Sequence, residues 1–159
     1  TVDEAKACVD ACRYPPMGGR SLTGLGPLAG QSVGTTDAYR LINENTVLIV
    51  MLESPEAIKN ADAIAAVEGV DMLLIGTNDL CMEMGIPGQY DHDDVVAAYD
   101  TMISACRNNG KHPGMGGIYS GLMERYIKMG ARFVLGGSDL SFLMTAAKQR
   151  SEFLDGIDL

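Results

Sequence analysis

The spacing of apolar and polar positions divides the chain into an irregular lead-in and a regular remainder. Val2, Ala5, Val9 and Cys12 recur at helical spacing and predict a helix over residues 2–12. That helix has to end before the paired prolines of "RYPPMGGR". Residues 13–36 are rich in Gly and Pro and show no apolar period, the kind of long connection that is usually functional or mobile. A short helix is predicted from Asp37 to Asn43, with Asp37 near its N-cap. From residue 46 onward the pattern becomes regular. "VLIVML" (47–52) predicts a strand and Pro55 to Val67 a helix. "DMLLIG" (71–76) predicts the next strand, then a helical turn near "NDLCMEMG" and a helix from Asp93 to Asn108. "KHPGMGGI" (111–118) reads as a weaker strand before a helix from Ser120 to Met129. "RFVLGG" (132–137) is the last strand, leading into a helix from Asp139 to Phe153.

Strands alternating with helices mark βαβ units and a parallel sheet. The strands are continuous apolar runs, as expected where both faces are covered. Four βα units make this an α/β chain, either a small open sheet or the C-terminal half of a (β/α)8 TIM barrel, whose closed form takes about 250 residues. The domain reading is one partial barrel over residues 1–159, with 1–45 leading in and 46–159 holding the four units.

Composition narrows the partners. Apolar residues make up 47% of the chain, enough for a sizeable core, and no run is long enough to span a membrane. The first residues lack the basic start and apolar middle of a signal peptide, so the expectation is a cytoplasmic protein. The opening reads as a helix already under way, without an initiator Met, which suggests a piece of something longer. A net charge of −9 argues against nucleic acid and anionic membrane as partners. Cys8, Cys12, Cys81 and Cys106 form no CxxC pair and are read as buried free thiols.

The candidate chemistry sits at the strand ends, where parallel α/β folds carry their sites. Glu53 closes the most apolar strand, and Asp79 lies just past the next one, so both face the same rim. After Glu53, Ser54 suits an N-cap, Pro55 the first helical turn and Glu56 its positive end. Neighbouring carboxylates repel, and a divalent cation removes that repulsion; two carboxylates with waters and a substrate oxygen suit Mg²⁺ or Mn²⁺. The competing readings are that Glu53 caps a helix or pairs with a Lys, and that Asp79 caps the turn after it. "IGTND" would offer backbone N–H groups to an anion, and "GMGG" (114–117) and "GGSD" (136–139) leave room above the sheet. Arg20 is either a cation at the rim or an exposed loop residue. His112 falls at the bottom of its strand, and His92 in "YDHDD" suits a capping role. Met82 and Met84 fill core or line a pocket.

The stretch "VMLESPEAIKNADAIAAVEGVDMLLIGTNDLCMEMG" resembles the HpcH/HpaI aldolases, metal-dependent pyruvate aldolases, as do "TVDEAKACVDACRYPPMGGRS" and "GARFVLGGSD". The resemblance implies a (β/α)8 barrel assembled as an oligomer, with Glu53 and Asp79 as ligands of Mg²⁺ or Mn²⁺. It implies a substrate site at Gly76, Thr77, Asn78 and Asp79, where the backbone N–H groups of Asn78 and Asp79 hold a pyruvate carboxylate. The reaction it implies is aldol cleavage or addition between a small 2-oxo acid and an aldehyde. Two departures stand out. Met51 replaces the Gln that the family places two residues before the metal-binding Glu. The family's catalytic His and its pyruvate-binding Arg are matched by neither His92, His112 nor Arg20. The expectation is the C-terminal half of such an enzyme, with no catalytic residue of its own and inactive alone. It is expected to form a homo-oligomer or to associate with a missing N-terminal half. The alternatives are a non-catalytic, oligomerising remnant of the fold and an acyl-CoA lyase of the citrate lyase β-subunit type.

Overall fold

A computed structural model describes residues 1–21, 35–117 and 120–157. Residues 22–34, most of the Gly- and Pro-rich stretch, lie outside the described residues. Helix α1 (Val2–Cys12) opens with a capping box in which Thr1 and Glu4 satisfy each other's free backbone donors. Helix α2 (Thr35–Asn45) then leads to strand β1 (Ile49–Leu52). Two short helices follow, α3 (Pro55–Lys59) and α4 (Ala61–Ala65), before β2 (Met72–Gly76) and α5 (Thr77–Glu83). Helix α6 (Asp93–Asn108), β3 (His112–Gly116), α7 (Ser120–Met129), β4 (Phe133–Val134) and α8 (Asp139–Asp155) complete the order.

The four strands form one parallel sheet in the order β1-β2-β3-β4. Met51 pairs with Leu74, Leu74 with Gly114, and Gly114 with Phe133. This is an α/β fold with a four-stranded parallel sheet, consistent with a partial TIM barrel. Side chains alternate along each strand. Val50, Leu52, Leu73, Ile75 and Met115 are buried in a core they share with Ile64 of α4 and with Val95, Tyr99, Met102 and Cys106 of α6. On the opposite face Met51 is 52% exposed while its register partner Leu74 is 2% exposed, so among the described residues that face is open along β1.

Several predicted elements differ in extent. The helix expected over 55–67 is interrupted at Asn60, whose side-chain amide donates to the Glu56 carbonyl (3.0 Å) and competes with the helical backbone. β1 starts at Ile49 because the Leu48 amide is taken by the Asp71 carboxylate (2.7 Å). β4 is two residues long: it pairs only with β3, and Gly136 and Gly137 follow. The cysteines divide: Cys81 and Cys106 are buried as expected, but Cys12 is half-buried and Cys8 is exposed, because α1 covers the sheet with Ala5 and Val9.

The N-terminal end of the sheet is fastened by Arg13, which is 3% exposed. Its guanidinium donates to the carbonyls of Asn43, Thr46 (2.8 Å) and Gly69 (3.0 Å) and to the Asp71 carboxylate. Asn43 locks onto the Tyr14 backbone from both sides, accepting from its N–H (2.9 Å) and donating to its carbonyl (3.0 Å). Arg20 lies over the Tyr14 ring, 4.8 Å from its centroid, and so sits at this end of the sheet. Of the two readings left open for Arg20, a cation at the rim is not what forms: the Arg20 amide donates to the Arg13 carbonyl (3.0 Å) in the turn after α1.

Candidate metal and 2-oxo-acid site

The site is built where β1 and β2 end. Ile49, Met51 and Glu53 alternate onto the uncovered face of the sheet, and Glu53 follows directly on the Leu52–Ile75 pair. It therefore stands opposite Gly76. A methyl group on Gly76 would lie 2.7 Å from the Glu53 Cγ and 3.0 Å from its Cδ. Only a residue without a side chain lets the Glu53 carboxylate cross the end of β2.

After Glu53 the chain turns sharply into α3. Ser54 is the N-cap, its hydroxyl accepting from the Ala57 amide (3.2 Å), and Pro55 opens the helix. The capping role is thus filled by Ser54 and not by Glu53. Gly76 is in turn the N-cap of α5 and has no side chain to close it, so Asp79 stands inside the first turn and is not the cap. Its carboxylate reaches Glu53. Partial burial and the adjacent Asp79 together raise the Glu53 pKa above its ordinary 4.5, and Asp79 is also a side-chain hydrogen-bond partner. Burial disfavours the charged form, and a neighbouring negative charge adds to that.

Both carboxyls line a cavity of about 640 Å³ that runs from α1 (Glu4, Cys8) past the free edge of β1 (Met51, Glu53) to α5 (Asp79, Met82). Met51 lies on the same face as Glu53, at the position of the family's Gln, and offers only a thioether. Met82 lines the cavity and is 64% exposed, whereas Met84 packs partly against the core. Among the described residues no group of three or more His, Cys, Asp or Glu side chains converges, so the pair stands as two protein donors.

The other expected residues sort by position. The Thr77 hydroxyl is buried and donates to the Gly116 carbonyl (2.9 Å), so what Thr77 can offer a ligand is backbone. Asn78 is exposed and lies beside Gly117, where the backbone runs at φ +70. A methyl group there would come within 3.1 Å of the Asn78 Nδ2. His92 is the N-cap of α6, its Nδ1 accepting from the Asp94 amide (3.2 Å). His112 pairs in register with Met72 at the opposite end of the sheet from Glu53. Two features were not legible in the sequence. One is the placing of Gly76 beneath Glu53, which follows from strand register. The other is the partner of Thr77, Tyr99, which carries no local signal on a mostly apolar helix face.

The donor set fits a hard divalent cation: two carboxylates at a cleft mouth, with the charged form of Glu53 disfavoured by burial and by Asp79, and open space for water and a ligand oxygen.

Comparison with known proteins identifies relatives of the chain and of its fold. The profile of the HpcH/HpaI aldolase/citrate lyase family matches residues 1–146. A 4-hydroxy-4-methyl-2-oxoglutarate aldolase of Hapsidospora irregularis is 36% identical over 164 residues, covering 100% of this chain and 61% of its own length. A 4-hydroxy-2-oxo-heptane-1,7-dioate aldolase of Escherichia coli is 38% identical over 146 residues, covering 92% of this chain and 56% of its own. The chain therefore spans less than two thirds of these relatives. The crystal structure of an HpcH/HpaI aldolase from Desulfitobacterium hafniense superposes with a TM-score of 0.88 at 24% identity, over 99% of this chain and 61% of that one, a likeness of fold.

Proposed function

This chain belongs to the HpcH/HpaI aldolase/citrate lyase family, and on that premise we propose that Glu53 and Asp79 hold a divalent cation, Mg²⁺ or Mn²⁺, beside a 2-oxo-acid site. The proposed reaction is aldol cleavage or addition of 2-oxo-3-deoxy or 4-hydroxy-2-oxo acids, linking pyruvate or a related 2-oxo acid with an aldehyde. The observation that carries this is the convergence of the two carboxyls across Gly76, with Glu53 raised by burial and by its partner. When bound there, the cation supplies the positive charge that polarises a ketone oxygen and favours negative charge developing on it.

The chain's own residues do the placing. Glu53 and Asp79 give up their mutual repulsion to a shared counter-charge. The first-turn N–H groups of Asn78 and Asp79, uncapped by any side chain of Gly76, are the donors this reading assigns to the substrate carboxylate. Gly116 and Gly117 leave room for the ligand beside Asn78. Met51 bounds the cleft with an apolar wall and donates no hydrogen bond.

Neither His92 nor His112 lines the cavity that holds the pair, so the 159-residue chain is read as binding metal and 2-oxo acid without turnover by itself. Two features support association with another polypeptide, a second copy or one carrying the rest of a barrel. Among the described residues β1 pairs only with β2 and leaves an open edge along the cleft, and α8 exposes Leu140, Phe142, Leu143 and Met144. Among the described residues no helix is long and apolar enough to cross a membrane. A cytoplasmic location and a partner set without nucleic acid or membrane remain part of this reading.

Titration with Mn²⁺, followed by electron paramagnetic resonance, tests it. Wild type should bind and Glu53→Ala should not. Equal, negligible binding by both would leave a folded, non-catalytic member of the family.

A further inference from the structure

Behind the first turn of α5 runs a chain of buried hydroxyls that the carboxylate pair does not use. Thr77 is 1% exposed. Its hydroxyl donates to the Gly116 carbonyl (2.9 Å) and lies 2.8 Å from the Tyr99 hydroxyl. Thr77 has one hydroxyl proton, and Gly116 takes it. Only lone pairs remain for Tyr99, so the phenol must be the donor. Burial pushes the Tyr99 phenol well above its ordinary value and keeps it protonated, which suits that role.

Tyr99 is itself held rigidly. It is fully buried and stacked on Tyr126 with ring centroids 3.8 Å apart and an interplanar angle of 25°. The Tyr126 hydroxyl donates in turn to the Tyr90 carbonyl (3.3 Å). The hydrogen bonds therefore join the middle of α6, the first residue of α5 and the last residue of β3.

That joint sits directly behind the proposed site. Helix α5 has seven residues, too few to hold its own register in water, and Gly76 gives it no side-chain cap. What fixes its first turn is tertiary. Thr77 is pinned from α6 and β3, and Asn78 and Asp79 are the next two residues. A small rotation of this turn would swing the Asp79 carboxyl away from Glu53, which is set independently by β1.

We propose that Tyr99 is a positioning residue for the Glu53–Asp79 site, acting through the Thr77 hydroxyl to set the first turn of α5. This rests on the metal-site reading above. A core role alone would require only that Tyr99 fill space, which Phe does equally well. A positioning role requires the hydroxyl and its acceptor.

The test is Mn²⁺ titration of the 159-residue chain as wild type, Tyr99→Phe, Thr77→Val, Thr77→Ser and the Tyr99→Phe/Thr77→Val pair, with Glu53→Ala as reference and thermal melts for each. Tyr99→Phe and Thr77→Val should each weaken Mn²⁺ binding several-fold, up to about tenfold. The pair should be no weaker than Thr77→Val alone, because both break one chain of bonds. Thr77→Ser keeps the hydroxyl and should stay within about twofold of wild type. Without metal, the amide resonances of Asn78 and Asp79 should move in Tyr99→Phe. A lower melting point with unchanged Mn²⁺ affinity and unmoved amides overturns the positioning role while leaving the metal site standing. Absence of binding in wild type, equal to Glu53→Ala, overturns the metal reading and this inference with it.

Discussion

Glu53 lies across Gly76. The two residues end adjacent parallel strands, and the carboxylate occupies the space a side chain on Gly76 would need. That relationship makes a strand-ending acid half of the proposed site, because it sets the carboxyl at the rim beside Asp79. A Cβ at Gly76 has to displace Glu53. Gly76→Ala should therefore weaken Mn²⁺ binding by at least about tenfold, approaching the loss in Glu53→Ala, while far-ultraviolet circular dichroism stays that of wild type. Unchanged affinity in Gly76→Ala would mean that Glu53 reaches the cation by another path, or not at all.

The acid pair also predicts a pH dependence with a definite sign. Burial and Asp79 raise the folded-state Glu53 pKa above 4.5, so between 4.5 and the raised value the folded chain holds more protons than the unfolded one. Stability from this group is then fully present below the unfolded value and is lost as pH rises through the folded one. Glu53→Gln mimics the protonated form at every pH. Without metal, the variant should melt higher than wild type at neutral pH, and the gap should shrink as pH falls toward 4.5. Added Mn²⁺ should reverse the order at neutral pH by stabilising wild type alone. Thermal melts of both proteins across pH, with and without Mn²⁺, check the crossing.

How far the sequence speaks for itself differs between fold and site, and the reason is physical. Helix α6 begins at Asp93 and ends at Asn108, as its pattern predicts, because its N-cap and apolar stripe are local features. β1 and β2 are legible as apolar runs for the same reason. The break at Asn60 was not, since it depends on a side-chain amide sharing the Glu56 carbonyl with the backbone N–H of Asn60. The shortness of β4 was not, since pairing on one side only is a tertiary fact. Glu53 and Asp79 are legible as strand-end acids. Their approach is not, because it depends on register, which sets Glu53 opposite Gly76, and on Tyr99, twenty-two residues from Thr77 in sequence. Arg13 gives no local signal either, although it binds four segments of the chain.

Arg13 predicts a loss of stability separable from the site. It is buried at the far end of the sheet, and removing it takes the guanidinium donor from the carbonyls of Asn43, Thr46 and Gly69 and leaves the Asp71 carboxylate with the Leu48 amide alone. Arg13→Ala should cost about 1–3 kcal/mol, mainly from the carbonyls left without a buried donor, because Asp71 is 39% exposed and keeps water and the Leu48 amide as partners. Arg13→Lys should recover only part of it, since one ammonium cannot reproduce the planar fork. Urea unfolding measures the loss. Mn²⁺ affinity of the folded fraction should be unchanged, because Arg13 and Glu53 stand at opposite ends of β1.

Helix α8 predicts self-association. Its capping box at Ser138 and Ser141 is complete, so the helix is well started, yet none of its residues is buried. Leu140, Leu143 and Leu154 recur on one stripe, with Phe142 and Phe153 beside it, all more than half exposed. A helix that shows an apolar stripe to water buries it against something, and a free stripe of this size marks an interface. The body of the fold gains nothing from α8, so its apolar residues can be changed without touching the core. Leu140→Glu combined with Leu143→Glu should convert an associated chain to monomer in sedimentation velocity. The melting point of the dilute monomer and its Mn²⁺ affinity should be preserved. A wild type that sediments as monomer at every concentration tested would remove self-association from the proposal and leave a different polypeptide as the partner for this stripe.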